Sequence, residues 1–132
     1  MVGIVIVSHS EKIAHGIVEL CRQMARSEQR IEAAGGTEDG RIGTDSMKIL
    51  EAVKKADDGE GVLIFVDMGS AIMSTELAID LLDEDMRKRV LVADAPIVEG
   101  SIGAVVQASI GSSLKEVEAV AKKSKDISKI RY

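Results

Sequence analysis

Residues 2–7 read VGIVIV and run straight into Ser8-His9-Ser10. The run is continuously apolar and mostly β-branched, with no polar residue alternating through it. A strand of that kind is buried on both faces, as in a parallel sheet covered by helices on each side. The polar stretch after it, residues 11–27, predicts a helix with Ile13, Ile17, Leu20, Cys21 and Met24 on its apolar stripe.

The same grammar recurs along the chain. Residues 29–34 predict a short strand ended by Gly35 and Gly36. Thr44 predicts a helix cap, with Asp45 favourable to the dipole, and that helix runs to about Ala56. Residues 61–66 (GVLIFV) predict a second fully buried strand, followed by the turn Asp67-Met68-Gly69-Ser70 and a helix over 71–86. Residues 89–94 predict the next strand, which Pro96 ends. An apolar helix starts near Gly100 or Ser101 and stops at Gly111; Ser113-Leu-Lys-Glu116 is a capping box that opens another, to about Lys123. Residues 127–131 predict a short edge strand. Regular β-α alternation defines an α/β class: a mostly parallel four-stranded sheet, order 2-1-3-4, with helices on both faces. No linker or repeat divides the chain, so residues 1–132 read as a single domain.

Composition narrows the chemistry. Aromatic residues are 2% and the net charge is -5, with no basic stripe, so nucleic acid is not an expected partner. One cysteine excludes an internal disulfide. The first apolar run is too short for a signal-peptide core and lacks a basic leader, and no segment approaches a membrane span; the expectation is a soluble cytoplasmic protein, not a membrane one. The P-loop, G-x-G-x-x-G and G-x-S-x-G patterns are missing, and no His/Cys/Glu cluster has metal spacing. Neither a cofactor nor a metal is expected.

In a doubly wound sheet the chemistry sits outside the carboxyl ends of the strands, where strand order reverses. This sequence places Ser8, His9 and Ser10 there after the first strand, and Gly35, Gly36 and Thr37 after the second. Asp67, Gly69 and Ser70 follow the third. With order 2-1-3-4, His9 and Asp67 lie side by side. A carboxylate on Nδ1 of an imidazole fixes its tautomer and leaves Nε2 as a nucleophile. Glycine-rich turns at helix starts supply N–H donors for a phosphate, which makes Ser10, Gly36, Thr37, Gly69 and Ser70 the candidate phosphate-binding set. These parts suit a histidine that briefly carries a phosphoryl group. His15 reads as a surface residue, Cys21 as inert core filler and Met47 as core. Met68 and Ile72 are open between core and docking rim; with Arg41 and Ile42 they form the candidate docking rim around His9. The apolar residues 100–110 are open between core and a dimer face.

Four stretches, GIVIVSHSEKIAHGI, AAGGTEDGRIGTDSMKI, VDMGSAIMSTELA and APIVEGSIGAVVQA, together resemble the DhaM family. These are the phosphoryl-carrier subunits of the phosphotransferase-system-dependent dihydroxyacetone kinases, and their carrier domain is similar to enzyme IIA of the mannose class. The resemblance covers nearly the whole chain. It implies that the carrier protein HPr phosphorylates His9, and that His9 passes the group to ADP held in a DhaL subunit. The resulting ATP phosphorylates dihydroxyacetone on a DhaK subunit. It also implies Asp67 as the acidic partner of the histidine, a homodimer, and a single-domain form that uses a separate HPr. Ser74 stands where the family pattern leads one to expect asparagine, so a polar role at that position is open. The same resemblance leaves a mannose-class IIA component of a sugar transporter as the nearest alternative, and a non-catalytic regulatory module on the same fold as a more distant one.

Overall fold

The computed structural model describes residues 1–130. Its strands are β1 (Gly3–Ser8), β2 (Ile31–Gly35), β3 (Val62–Val66) and β4 (Val90–Val92). Its helices are α1 (Glu11–Arg22), α2 (Ser46–Ala56), α3 (Gly69–Asp80), the single turn α4 (Glu84–Arg87), α5 (Ile97–Ser109) and α6 (Leu114–Lys123). All strand pairs are parallel, and the order is β2-β1-β3-β4. The expected α/β architecture is therefore present.

Two cores follow from the strand period. Ile4 and Ile6 of β1 and Leu63 and Phe65 of β3 turn towards α1, α5 and α6. Val5, Val7, Val62 and Ile64 turn the other way, towards α2 and α3. Both faces of the central strands are thus apolar, which is why their sequence does not alternate.

The helices meet this sheet through small residues. α1 buries Ala14, Ile17 and Cys21, while Ile13, Leu20 and Met24 are exposed. Ile17 and Cys21 are thus buried as expected, whereas Ile13, Leu20 and Met24 turn outward and the smaller Ala14 takes the place against the sheet. α3 likewise buries Ala71, Thr75 and Ala78 and exposes Ile72, Met73 and Leu77. Met47, expected in the core, is 60% exposed.

Boundaries shift for local reasons. Asp45, not Thr44, caps α2 by accepting the N–H of Met47. The helix expected over 71–86 breaks after Asp80, because Asp83 caps a new turn by accepting the N–H of Met86. α5 begins directly after Pro96, whose carbonyl accepts from the N–H of Gly100; proline fits a helix start as well as a strand end. Residues 127–130 form no strand, and Arg131 lies outside the described residues. Surface ion pairs join Lys125, just before the segment, to Asp94 and Lys129, within it, to Glu99.

Asp57, at the end of α2, accepts Arg89 Nε at 3.1 Å and Nη2 at 2.7 Å, joining α2 to the start of β4. The Arg89 bonds outweigh burial and hold the Asp57 carboxyl below the ordinary carboxylate value. A carboxyl depressed in the folded state adds stability above its unfolded pKa, about 3.9, and that contribution disappears as pH falls through the folded value. Thermal melts should therefore show the largest gap between wild type and Arg89→Gln near neutral pH, closing below about pH 4. A gap that stays constant across that range would mean the pair does not act through its charge.

Candidate functional site

The register of the sheet builds the site. Val7 of β1 lies opposite Val66 of β3, so the next residues, Ser8-His9 and Asp67, leave the sheet together. His9 Nδ1 lies 2.9 Å from Asp67 Oδ1. The other carboxylate oxygen, Oδ2, accepts the backbone N–H of His9 at 3.0 Å and the Ser8 hydroxyl at 2.9 Å. The N–H of Met68 adds a bond to Oδ1 at 2.7 Å. The His9 and Asp67 side chains are 17% and 14% exposed, so both are held yet reachable.

Burial raises the cost of the Asp67 charge. The donors from His9, Ser8 and Met68 more than offset it, and the carboxyl lies below its ordinary pKa. Asp67 is thus ionised at neutral pH and can only accept, so Nδ1 carries the ring proton. Nε2 then holds the lone pair. It is bonded to the Ser70 hydroxyl, which by the same logic donates to it.

Ser70 stands in the first turn of α3. The cap position of that helix, Met68, supplies no side-chain bond, so the orphan N–H groups there have no side-chain acceptor. A helix start of this kind, next to Nε2, favours an anion. The other candidate loop differs. The N–H of Gly36 goes to Ser8 O and that of Thr37 to Arg41 O, at 3.1 and 2.9 Å. The first bond ties the loop to the end of β1 and the second closes the loop on itself, so both donors are already used. Gly36, at φ 72°, shapes the turn. Ser10 caps α1, its Oγ accepting from Ile13 N–H at 3.2 Å.

Two clefts are lined by the residues next to His9 and by Asp67. One, of about 550 Å³, is lined by Ser10, Glu11, Lys12, His15, Arg41 and Ile42. The other, of about 390 Å³, is lined by Asp67, Met68, Gly69, Ile72 and residues 92–95. Arg41, Ile42, Met68 and Ile72 are all exposed. His15 is on the surface and Cys21 is buried. Among the described residues no cluster of His, Cys, Asp or Glu could hold a metal, and no helix is long and apolar enough to cross a membrane.

Three further side chains hold the site together. Ser8, expected at this sheet edge but with no role assigned to it, is a fully buried polar residue closing an apolar strand. Lys48 ties down the second loop by donating to the carbonyls of Gly35 and Thr37 at 2.9 and 3.1 Å. Ser74, left open, bonds Thr44 Oγ1 at 2.6 Å and so joins that loop to α3. Neither of the latter two carries a local sequence signature.

A buried parallel sheet thus presents an oriented imidazole beside a helix start that has no side-chain cap. A family model described as the fructose IIA component of the phosphotransferase system matches residues 3–118, and the chain belongs to that enzyme IIA family. Among its relatives is a protein of Listeria innocua, "PEP-dependent dihydroxyacetone kinase 2, phosphoryl donor subunit DhaM". It is 39% identical over 117 residues, covering 89% of this chain and 94% of the relative. The Escherichia coli phosphoryl donor subunit DhaM is 42% identical over 120 residues, and there the match covers 89% of this chain and 25% of the relative. The chain thus spans about a quarter of the length of some relatives and nearly all of others. A crystal structure of a protein of unknown function superposes with a TM-score of 0.82 at 43% identity, covering 91% of this chain and 92% of the other. The phosphotransferase-system component EIIA of Streptococcus agalactiae shares the fold, with a TM-score of 0.68 at 16% identity over 97% of this chain and 96% of the other.

Proposed function

We propose that this chain is the phosphoryl-donor subunit of a phosphoenolpyruvate-dependent dihydroxyacetone kinase, and that His9 carries the phosphoryl group. The observation that carries the reading is the bond between His9 Nδ1 and ionised Asp67, which leaves Nε2 free to attack. The relatives named as DhaM place this reading ahead of a sugar-transport IIA component.

In the proposed reaction the Ser70 hydroxyl releases Nε2 as the phosphorylated donor, HPr, docks. The Nε2 lone pair attacks phosphorus, the Nε2–P bond forms, and the bond to the donor breaks. Asp67 steadies the positive charge that grows on the ring. The Ser70 hydroxyl, next to Nε2, and the N–H groups of Gly69 and Ser70 at the start of α3 are then the donors for the phosphoryl oxygens. In the return step a terminal oxygen of ADP, held in a DhaL subunit, attacks phosphorus and Nε2 leaves. DhaK would supply dihydroxyacetone to the ATP so formed.

The coupled assay is direct. Phosphoenolpyruvate, enzyme I, HPr, this chain, the two kinase subunits, ADP and dihydroxyacetone should together yield dihydroxyacetone phosphate, and omitting this chain should stop it. Formation at the same rate without the chain would refute the role. A transport role would instead show as phosphate passing to a membrane-permease component.

Asp67→Asn should lower the rate of phosphoryl acceptance roughly ten- to a hundredfold, the worth of one charge-assisted bond, in a protein that still folds. Stopped-flow or quench-flow transfer from phosphorylated HPr measures it. A wild-type rate would remove Asp67 from the mechanism.

A further inference from the structure

We infer that Ser8 is a positioning residue for the phosphoryl-accepting histidine, acting through Asp67; the inference rests on the reading of His9 given above. Ser8 is fully buried at the last position of β1. Its hydroxyl has two partners, Asp67 Oδ2 at 2.9 Å and the N–H of Ser10 at 3.1 Å. An N–H can only donate and an ionised carboxylate can only accept, so the direction of both bonds is fixed. The single hydroxyl proton goes to Asp67, and a lone pair receives Ser10. Ser8 therefore joins the carboxylate to the residue that caps α1.

This matters for the ring. The carboxylate can rotate about its own bond, and only one orientation presents Oδ1 to His9 Nδ1. The Ser8 hydroxyl and the His9 N–H both hold Oδ2, and the Met68 N–H holds Oδ1. Of these three, Ser8 alone uses a side chain, so it alone can be removed by substitution. Without it the carboxylate loses a donor in a nearly closed environment, and the Ser10 N–H loses its acceptor. The carboxylate becomes freer to turn, and the imidazole moves towards a mixture of tautomers. A ring protonated on Nε2 is no nucleophile at that atom.

The test reads the tautomer directly. Nitrogen-15 NMR of the neutral His9 ring should show a protonated Nδ1 and a bare Nε2 in wild type. In Ser8→Ala the two signals should move towards each other as the Nε2-protonated form appears, and phosphoryl acceptance should fall about tenfold, the loss of one hydrogen bond to a charged group. Ser8→Thr, which keeps the hydroxyl, should restore the wild-type ring pattern. If Ser8→Ala does not fold, Ser8→Cys, a near-isostere with a weak donor, should show a smaller shift in the same direction. An unchanged ring pattern in a folded Ser8→Ala or Ser8→Cys protein would overturn the assignment. Because the ring pattern is read without any phosphoryl donor, it separates failure of the Ser8 role from failure of the carrier role.

Discussion

A His9→Ala chain is expected to take up no phosphoryl group from HPr while keeping its fold. His9 is only part of a loop: its ring is 17% exposed, and its backbone bonds, to Asp67 and from the Gly43 N–H, survive the substitution. The lost partners are the Asp67 and Ser70 side chains, both reachable by water in part. Stability should therefore change by no more than about 1–2 kcal/mol, against complete loss of transfer. Intact mass after incubation with phosphoenolpyruvate, enzyme I and HPr distinguishes the outcomes. Wild type should gain one phosphoryl group and the variant none. A variant that is still labelled would move the carrier role to another residue. A variant that still supports dihydroxyacetone phosphorylation would favour a regulatory module instead.

The second expectation runs the opposite way, towards stability with the site spared. Gly3 opens β1, at the far end of that strand from His9. A Cβ there would lie 2.1 Å from the carbonyl oxygen of Ala56 and 2.8 Å from its carbon. The obstacle is backbone at the end of α2, which cannot swing aside as a side chain would. Gly3→Ala should therefore sit at the upper end of overpacking costs, about 3 kcal/mol, and lower Tm by roughly 10 °C. Five residues of strand, about 17 Å, separate it from the joint at Ser8, so transfer measured well below Tm should stay near wild type. Melting within a degree or two of wild type would show that α2 can retreat at little cost.

These two substitutions bracket what the sequence makes legible. Apolar runs such as VGIVIV and GVLIFV announce strands covered on both faces, and alternation with helices then leaves few topologies. The site followed from the same step, since order 2-1-3-4 puts the ends of β1 and β3 together. What stayed hidden was close approach. Gly3 is there because α2 touches the backbone of β1, and Ala14 faces the sheet because α1 lies hard against Gly35. A residue chosen for smallness gives no hydrophobic signal, so the stripe places Ile17 and Cys21 correctly but takes in the larger, exposed Ile13 and Leu20 and leaves out Ala14. Hydrogen bonds across long sequence separations were equally silent. The Ser8–Asp67 bond spans 59 residues and the Thr44–Ser74 bond spans 30, and neither has a local pattern. The Gly35-Gly36-Thr37 loop shows the converse: Gly36 and Thr37 look like a phosphate cradle in one dimension, but their N–H groups already go to Ser8 at the end of β1 and to Arg41.

The most direct measurement is phosphorus-31 and nitrogen-15 NMR of the chain after transfer from phosphorylated HPr. One phosphoryl group bonded to Nε2 of His9, with Nδ1 still protonated against Asp67, is the predicted result. A phosphoryl group on Nδ1, or on any other residue, would contradict it.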